Sequence, residues 1–400
     1  RRNMSARASS HSPAAGSSWS ESALSVEPSD KEDKEEPAPH GRSRPLFVTL
    51  TFLLCSGAFL LELYENGQTY ASDTPQGSEE CHYRADFGRA VFCAASLSVN
   101  PLFGPTTDVL IKMGASESML TVSNKEVWRL VTPMYLHGGV VHFALNMLVF
   151  VKFGVDMERT HGFARVAAIY LLSGVFGIMM GIALSPHTVK VGASGAIFGL
   201  FGALLGEVLQ NWSLYRRPCA AVVQLLLGAS LQLLLGTMPM LDNFSHFFGF
   251  LMGFLCSLVL LVLGRRTDAG KAAAPRCHQR LVQALATACI LVCFAFALLS
   301  VFGPVNAGEL CPRCDMISCI PFPWGCNPTK QGSCWAWDCT AAQAAGCSGS
   351  ASWIGSKQNG TVVLGCRVGV TDMQNVEVWP VDLSRWGTPF LTELCQARCP

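Results

Sequence analysis

Seven stretches of this chain approach the length and apolarity of membrane-crossing helices, at about residues 46–63, 137–153, 166–184, 192–209, 219–238, 244–263 and 281–302. A helix that crosses the hydrocarbon core needs roughly 20 mostly apolar residues. Its backbone groups must be satisfied internally, which leaves helices as the natural form for runs of this length. Half of all residues are hydrophobic and only 14% are charged, so the expectation is an all-α polytopic membrane protein. A net charge of +1, with no basic stripe carrying interleaved aromatics, gives no reason to expect nucleic acid as a partner.

The stretches outside the runs set the domain order and the orientation. Residues 1–44 are rich in Ser, Pro and charge, with the block Asp30-Lys31-Glu32-Asp33-Lys34-Glu35-Glu36, and read as a disordered arm. No apolar h-region marks a signal peptide in that arm, and its acidic block speaks against a mitochondrial transit peptide. Basic residues gather in the arm and in the loops after the second, fourth and sixth runs (Arg159 and Arg165; Arg216 and Arg217; Arg265 to Arg280). Positive-inside bias puts those loops in the cytosol, and the first loop and the C-terminal tail on the lumenal or exterior side. Ten of the 18 cysteines lie between Cys311 and Cys399, a density that fits disulfides outside the cytosol. Asn359-Gly360-Thr361 is a sequon on the same side. The expected division is 1–44 arm, 45–265 membrane domain, 266–303 cytosolic linker and last span, and 304–400 cysteine-rich tail.

Polar side chains inside apolar runs are costly and point to function. Ser194 stands between Gly192 and Gly195 at the start of the fourth run. Taken alone, such a serine fits a small-residue helix interface. His246 opens the sixth run, with Gly249 and Gly253 following on one helix face. That face can seat against Gly195, Gly199, Gly202 and Gly206 of the fourth run, which brings an imidazole to Ser194 as base to nucleophile. Taken alone, His246 fits an interhelical hydrogen bond. In the second run His142 and Asn146 share a face and can donate to a developing oxyanion. His137 lies off that face, nearer the surface, and has a structural role. Neither HExxH nor a cysteine or carboxylate at ligand spacing accompanies these histidines, so no metal and no cofactor is expected. Glu62 and Asp242 read as solvated charges at the lumenal edge, leaving a Ser–His dyad without a third carboxylate.

The set Trp128-Arg129, His137-x4-His142-x3-Asn146, Gly192-x-Ser194-Gly195 and His246-x2-Gly249-x3-Gly253, in this order and on these runs, resembles the rhomboid intramembrane serine proteases over about residues 45–265. The resemblance implies a six-helix bundle with Ser194 as nucleophile and His246 as base. It also implies an oxyanion hole of His142, Asn146 and the Ser194 N–H. Trp128, Arg129 and Glu158, the last in the loop after the second run, match structural positions of the family. Phe198 stands where the family often has a tyrosine packed on the histidine. A seventh span after the six resembles the eukaryotic secretory-pathway branch, which implies a Golgi, endosomal or plasma-membrane location. Asn100-Pro101-x2-Gly104-Pro105 and Cys311-x2-Cys314-x4-Cys319-x6-Cys326 resemble eukaryotic members, plant-like ones included.

The function implied is cleavage of single-span membrane proteins near the lumenal end of their helices, releasing ectodomains, with the bilayer as the other partner. The substrate helix must unwind at the cut, because a helical carbonyl is occupied by the backbone ladder. The alternative is a catalytically silent rhomboid-like factor that binds or escorts client helices. Six of the nine tryptophans lie in the tail, which is either the core of a small disulfide-rich domain or a surface that docks substrate ectodomains.

Overall fold

The computed structural model describes residues 44–70, 79–97, 99–185, 189–212, 215, 217–235, 242–261, 277–303 and 305, and the backbone of 347–353, 360–368 and 372–381. Eight α-helices are described: α1 (Leu46–Tyr70), a short α2 (Thr107–Met113), α3 (Val140–His161), α4 (Phe163–Leu184), α5 (Ser194–Gln210), α6 (Pro218–Leu235), α7 (Asn243–Leu260) and α8 (Cys277–Phe302). Helices α1, α3, α4, α7 and α8 are long and apolar enough to cross a membrane, while α5 and α6 are apolar but shorter. The chain is a helical polytopic membrane protein.

Helix α4 is the most buried of the five long helices and packs against α5, α7 and α8. Helices α5 and α7 form the closest pair. A Cβ on Gly249 would fall on the Gly195 carbonyl, and one on Gly253 on the Gly199 carbonyl. Lipid supplies no hydrophobic drive between helices, so association depends on such close van der Waals seating of small residues.

Helix α1 is tied at both ends. At its start Glu158, in the last turns of α3, accepts the Phe47 N–H at Oε1 (2.8 Å) and the Val48 N–H at Oε2 (2.9 Å). These are among the donors a helix start leaves without an intrahelical partner. Glu158 therefore belongs to a helix, not to the loop where the sequence reading put it, because α3 runs on to His161. The Phe47 ring packs edge-on against Phe150, Phe163 and Tyr170. Toward the other end, buried Asn66 donates to the carbonyls of Glu80 (2.7 Å) and Cys93 (3.2 Å) and accepts from the Thr106 N–H (3.0 Å).

That contact anchors structure outside the expected helices. Strands β1 (Tyr83–Phe87) and β2 (Ala90–Ala94) form an antiparallel hairpin, and Cys81 is disulfide-bonded to Cys93. A second antiparallel sheet, ordered β3 (Cys347–Trp353), β4 (Gly360–Val368), β5 (Asp372–Val381), lies in the tail. The helical expectation is thus supplemented by two small sheets outside the apolar runs. The N-terminal arm, the basic stretch 262–276, Asn359, and the tail's cysteine pairing and docking surface lie outside the described residues and side chains.

Helix α3 begins at Val140, three residues later than the apolar run. Gly138 and Gly139 precede it, and glycine is a poor helix former. The loop 100–105 completes the start: the Val140 N–H donates to the Phe103 carbonyl (3.0 Å) and the Val141 N–H to the Leu102 carbonyl (3.3 Å).

Candidate active site

Ser194 is the first residue of α5, so its N–H has no partner within the helix. The segment leading into it is held in place. Lys190 and Ser116 exchange backbone hydrogen bonds (3.0 and 2.9 Å), and the Gly192 N–H donates to the Pro133 carbonyl (2.8 Å). Gly192 has φ +120°, a conformation L side chains rarely adopt. His246 lies in the first turn of α7, one turn after Asp242. The Asp242 carboxylate accepts the Phe244 N–H (3.0 Å) and the Ser245 hydroxyl, capping that helix. It is a helix cap, not the free solvated charge expected from the sequence.

With α5 and α7 in close contact, His246 Nε2 lies 2.7 Å from Ser194 Oγ. The Phe198 ring stacks on the imidazole, with centroids 4.5 Å apart and planes 11° from parallel. His246 is buried, and its Nδ1 has no hydrogen-bond partner among the described residues. Among the described residues the pair is a serine and a histidine without a carboxylate hydrogen-bonded behind the ring.

His142 and Asn146 are buried one turn apart near the start of α3. His142 Nδ1 accepts the Gly138 N–H (3.3 Å), which leaves the ring proton on Nε2. That Nε2 and Asn146 Nδ2 are both buried without a hydrogen-bond partner among the described residues. Buried donors left unmade are costly, so two side by side mark a place for an acceptor. Gly192 keeps that place open. A Cβ there would stand 2.8 Å from His142 Nε2 and 3.6 Å from Asn146 Nδ2. An oxygen in the same space, displaced a few tenths of an ångström toward Asn146, would be within reach of both donors.

Two residues read from the sequence as surface groups are interior. His137 is fully buried, outside α3, with its ring against those of His142 (5.6 Å) and Phe143 (5.2 Å). Glu62 is fully buried as well, and its Oε1 accepts the His137 backbone N–H (3.0 Å). The long loop before α2 folds back over the same segment and covers it. Asn100, also buried, donates through Nδ2 to the carbonyls of Gly138 (2.7 Å) and Pro105 (2.8 Å) and accepts the Leu102 N–H (2.9 Å). Sequence spacing carried no sign of Glu62, because its partner is a backbone group 75 positions away.

Other singled-out residues stand apart from the dyad. Trp128 is exposed. Arg129 donates through Nη1 to the carbonyls of Ile111 (2.7 Å) and Ala115 (2.8 Å), closing the end of α2, and its Nε pairs with Glu126 (2.6 Å). Glu158 lies toward the opposite end of α3 from His142. Gly195, Gly249 and Gly253 form the seam that lets α5 and α7 meet. Among the described residues no group of three or more His, Cys, Asp or Glu could hold a metal ion.

Comparison with known proteins gives the family. Residues 124–263 match the rhomboid domain model. RHOMBOID-like protein 4 of Arabidopsis thaliana is 36% identical over 267 residues, 64% of this chain and 67% of the relative. This chain belongs to the rhomboid family. Its relatives are not uniform in their described activity. The rhomboid-type serine protease 2 of Emericella nidulans is 36% identical over 135 residues, 34% of this chain and 27% of that protein. Inactive RHOMBOID-like protein 8 of Arabidopsis thaliana is 30% identical over 291 residues, 68% and 82% of the two chains. Within the rhomboid match fall Ser194, His246, His142, Asn146 and Gly192. Glu62 and Asn100 lie before it.

Proposed function

We propose that this rhomboid is an active intramembrane serine endopeptidase that cuts membrane-protein helices with Ser194 and His246. The observation that carries the reading is the 2.7 Å approach of His246 Nε2 to Ser194 Oγ, beside two unpartnered donors.

In the proposed reaction His246 Nε2 accepts the hydroxyl proton as Ser194 Oγ attacks a carbonyl carbon of an unwound substrate segment. The oxyanion is met by His142 Nε2–H, Asn146 Nδ2–H and the Ser194 N–H. Donors fixed beforehand in a water-poor site are worth far more than the same groups in water. The protonated His246 then gives its proton to the leaving amine, and the acyl group stays on Ser194. Water next attacks the ester carbonyl as His246 takes its proton. His246 then returns that proton to Ser194 Oγ as the ester bond breaks, which restores the serine and releases the new carboxylic acid, ionised in water. Phe198 holds the imidazole plane throughout, and no metal or cofactor enters.

The proposed substrates are single-span proteins cut near the lumenal end of the helix. The basic loops support a cytosolic N-terminus and an exterior tail, and the resemblance of the seventh span to the secretory-pathway branch supports a secretory-pathway membrane. The tail as a docking surface for ectodomains belongs to the same proposal, as does the division into arm 1–44, catalytic domain 45–265, linker and last span 266–303, and tail 304–400.

The test is cleavage of a model single-span substrate by purified protein in liposomes, beside Ser194→Ala and His246→Ala. A single cut that both substitutions abolish is expected. No cut by folded wild-type protein across several substrate helices would replace the protease reading with that of a client-binding factor. A cut that survives Ser194→Ala would remove Ser194 as nucleophile.

A further inference from the structure

We propose that Glu62 is a positioning residue for the oxyanion hole: its buried carboxyl holds the segment 137–139 so that the Gly138 N–H fixes the orientation and tautomer of His142. The proposal rests on the protease reading and deepens it.

The chain of contacts is short. Glu62 Oε1 accepts the His137 N–H (3.0 Å), and the next N–H along the backbone, that of Gly138, is the donor to His142 Nδ1 (3.3 Å). On the other side Asn100 Nδ2 grips the Gly138 carbonyl (2.7 Å). The segment is therefore held from α1 on one side and from the loop 100–105 on the other. Beyond the buried His137 ring, Gly138 and Gly139 add no side chains to hold it, and the helix has not yet begun. Without the two anchors the Gly138 N–H could turn away from His142. The ring would then be free to carry its proton on Nδ1, and Nε2 could no longer donate to an oxyanion.

A carboxyl is a costly means of holding one backbone N–H inside a membrane protein. Glu62 has no exposed surface, its Oε2 has no hydrogen-bond partner, and no Lys or Arg is paired with it among the described residues. An apolar side chain would fill the space without that cost. What an apolar side chain cannot do is accept the His137 N–H. The useful feature is thus an acceptor oxygen at a set distance from the α1 backbone, and charge is secondary.

That distinction makes the test. Wild-type protein, Glu62→Gln, Glu62→Asp and Glu62→Leu are compared in liposomes for kcat and KM on one single-span substrate, with thermal midpoints measured in parallel. Glu62→Gln keeps an oxygen at the same reach and is expected to stay within about threefold of wild type in kcat. Glu62→Asp keeps the carboxyl group but withdraws the oxygen. Glu62→Leu removes the oxygen. Both are expected to lower kcat about 10- to 100-fold with KM within about twofold, since a misplacement of about 1 Å can cost about 10²-fold.

The same step in a His142→Ala background is expected to lower kcat less than about twofold further, because groups that act as a unit are not additive. Equal kcat in wild type, Glu62→Asp and Glu62→Leu would overturn the proposal. So would a Glu62→Leu loss that is undiminished in the His142→Ala background, which would assign Glu62 to general stability. If Glu62→Leu does not fold, the Asp and Gln variants decide: equal kcat in the two overturns it. Wild-type protein without activity refutes the protease reading itself, an outcome separate from these.

Discussion

Gly192→Ala tests the proposed oxyanion hole most directly, because one methyl group is placed where the proposed reaction puts the developing charge. The added Cβ would stand 2.6 Å from His142 Cε1, 2.8 Å from His142 Nε2 and 3.6 Å from Asn146 Nδ2. A useful oxyanion position lies about 2.7–3.1 Å from its donors, so methyl and oxygen compete for the same volume. Loss of one such donor costs about 10²–10³ in kcat. A methyl that obstructs His142 and crowds Asn146 is expected to cost at least that much. The backbone adds a second effect. At φ +120° an alanine is strained, by an amount on the order of 1–3 kcal/mol, which lowers the thermal midpoint without unfolding the protein at room temperature. The assay is the initial rate of substrate cleavage in liposomes, with thermal denaturation in detergent recorded on the same preparation. A folded Gly192→Ala protein that cleaves within about threefold of wild type would refute the assignment of this space to the oxyanion.

Three further outcomes follow from the packing. Glu158→Ala leaves the Phe47 and Val48 N–H groups without their acceptors. At about 1.5–3 kcal/mol for each hydrogen bond to a charged group, a loss of about 3–6 kcal/mol is expected, read as a lower thermal midpoint. Gly253→Val places a branched side chain on the Gly199 carbonyl and is expected to separate α5 from α7, abolishing cleavage and lowering the midpoint together. Phe198→Leu removes the stacked ring from His246 while keeping an apolar side chain. It is expected to lower kcat about 10-fold with little change in KM, and an unchanged kcat would show that the ring does not hold the imidazole.

The dyad geometry and the two unpartnered donors arise from separate parts of the chain brought to one end of the helices. Ser194 and His246 head α5 and α7, and His142 lies near the start of α3, each helix start being set by the segment before it. The Lys190–Ser116 bridge and the Gly192–Pro133 contact lead into Ser194, Asp242 caps the start of α7, and the loop 100–105 supplies carbonyls to α3. The glycine face that closes the gap between α5 and α7 was readable from the spacing of Gly249 and Gly253. Its partner face was readable from Gly195 and Gly199.

By itself the sequence determined the apolar runs, the glycine seam, and the residue set of Ser194, His246, His142 and Asn146. These are local signals: helical period, polar groups set in apolar stretches, and small residues spaced along one face. Tertiary structure alone decided that Glu62 and His137 are interior, that Glu158 caps a helix 110 positions away, and that α3 begins at Val140. It also decided that Cys81 bonds Cys93 in a hairpin. The reason is physical. A carboxylate near the end of an apolar run looks the same in sequence whether it meets water or a distant backbone N–H. Backbone donors carry no residue identity, so the sequence holds no mark of which side chain will accept them until the fold brings the two together.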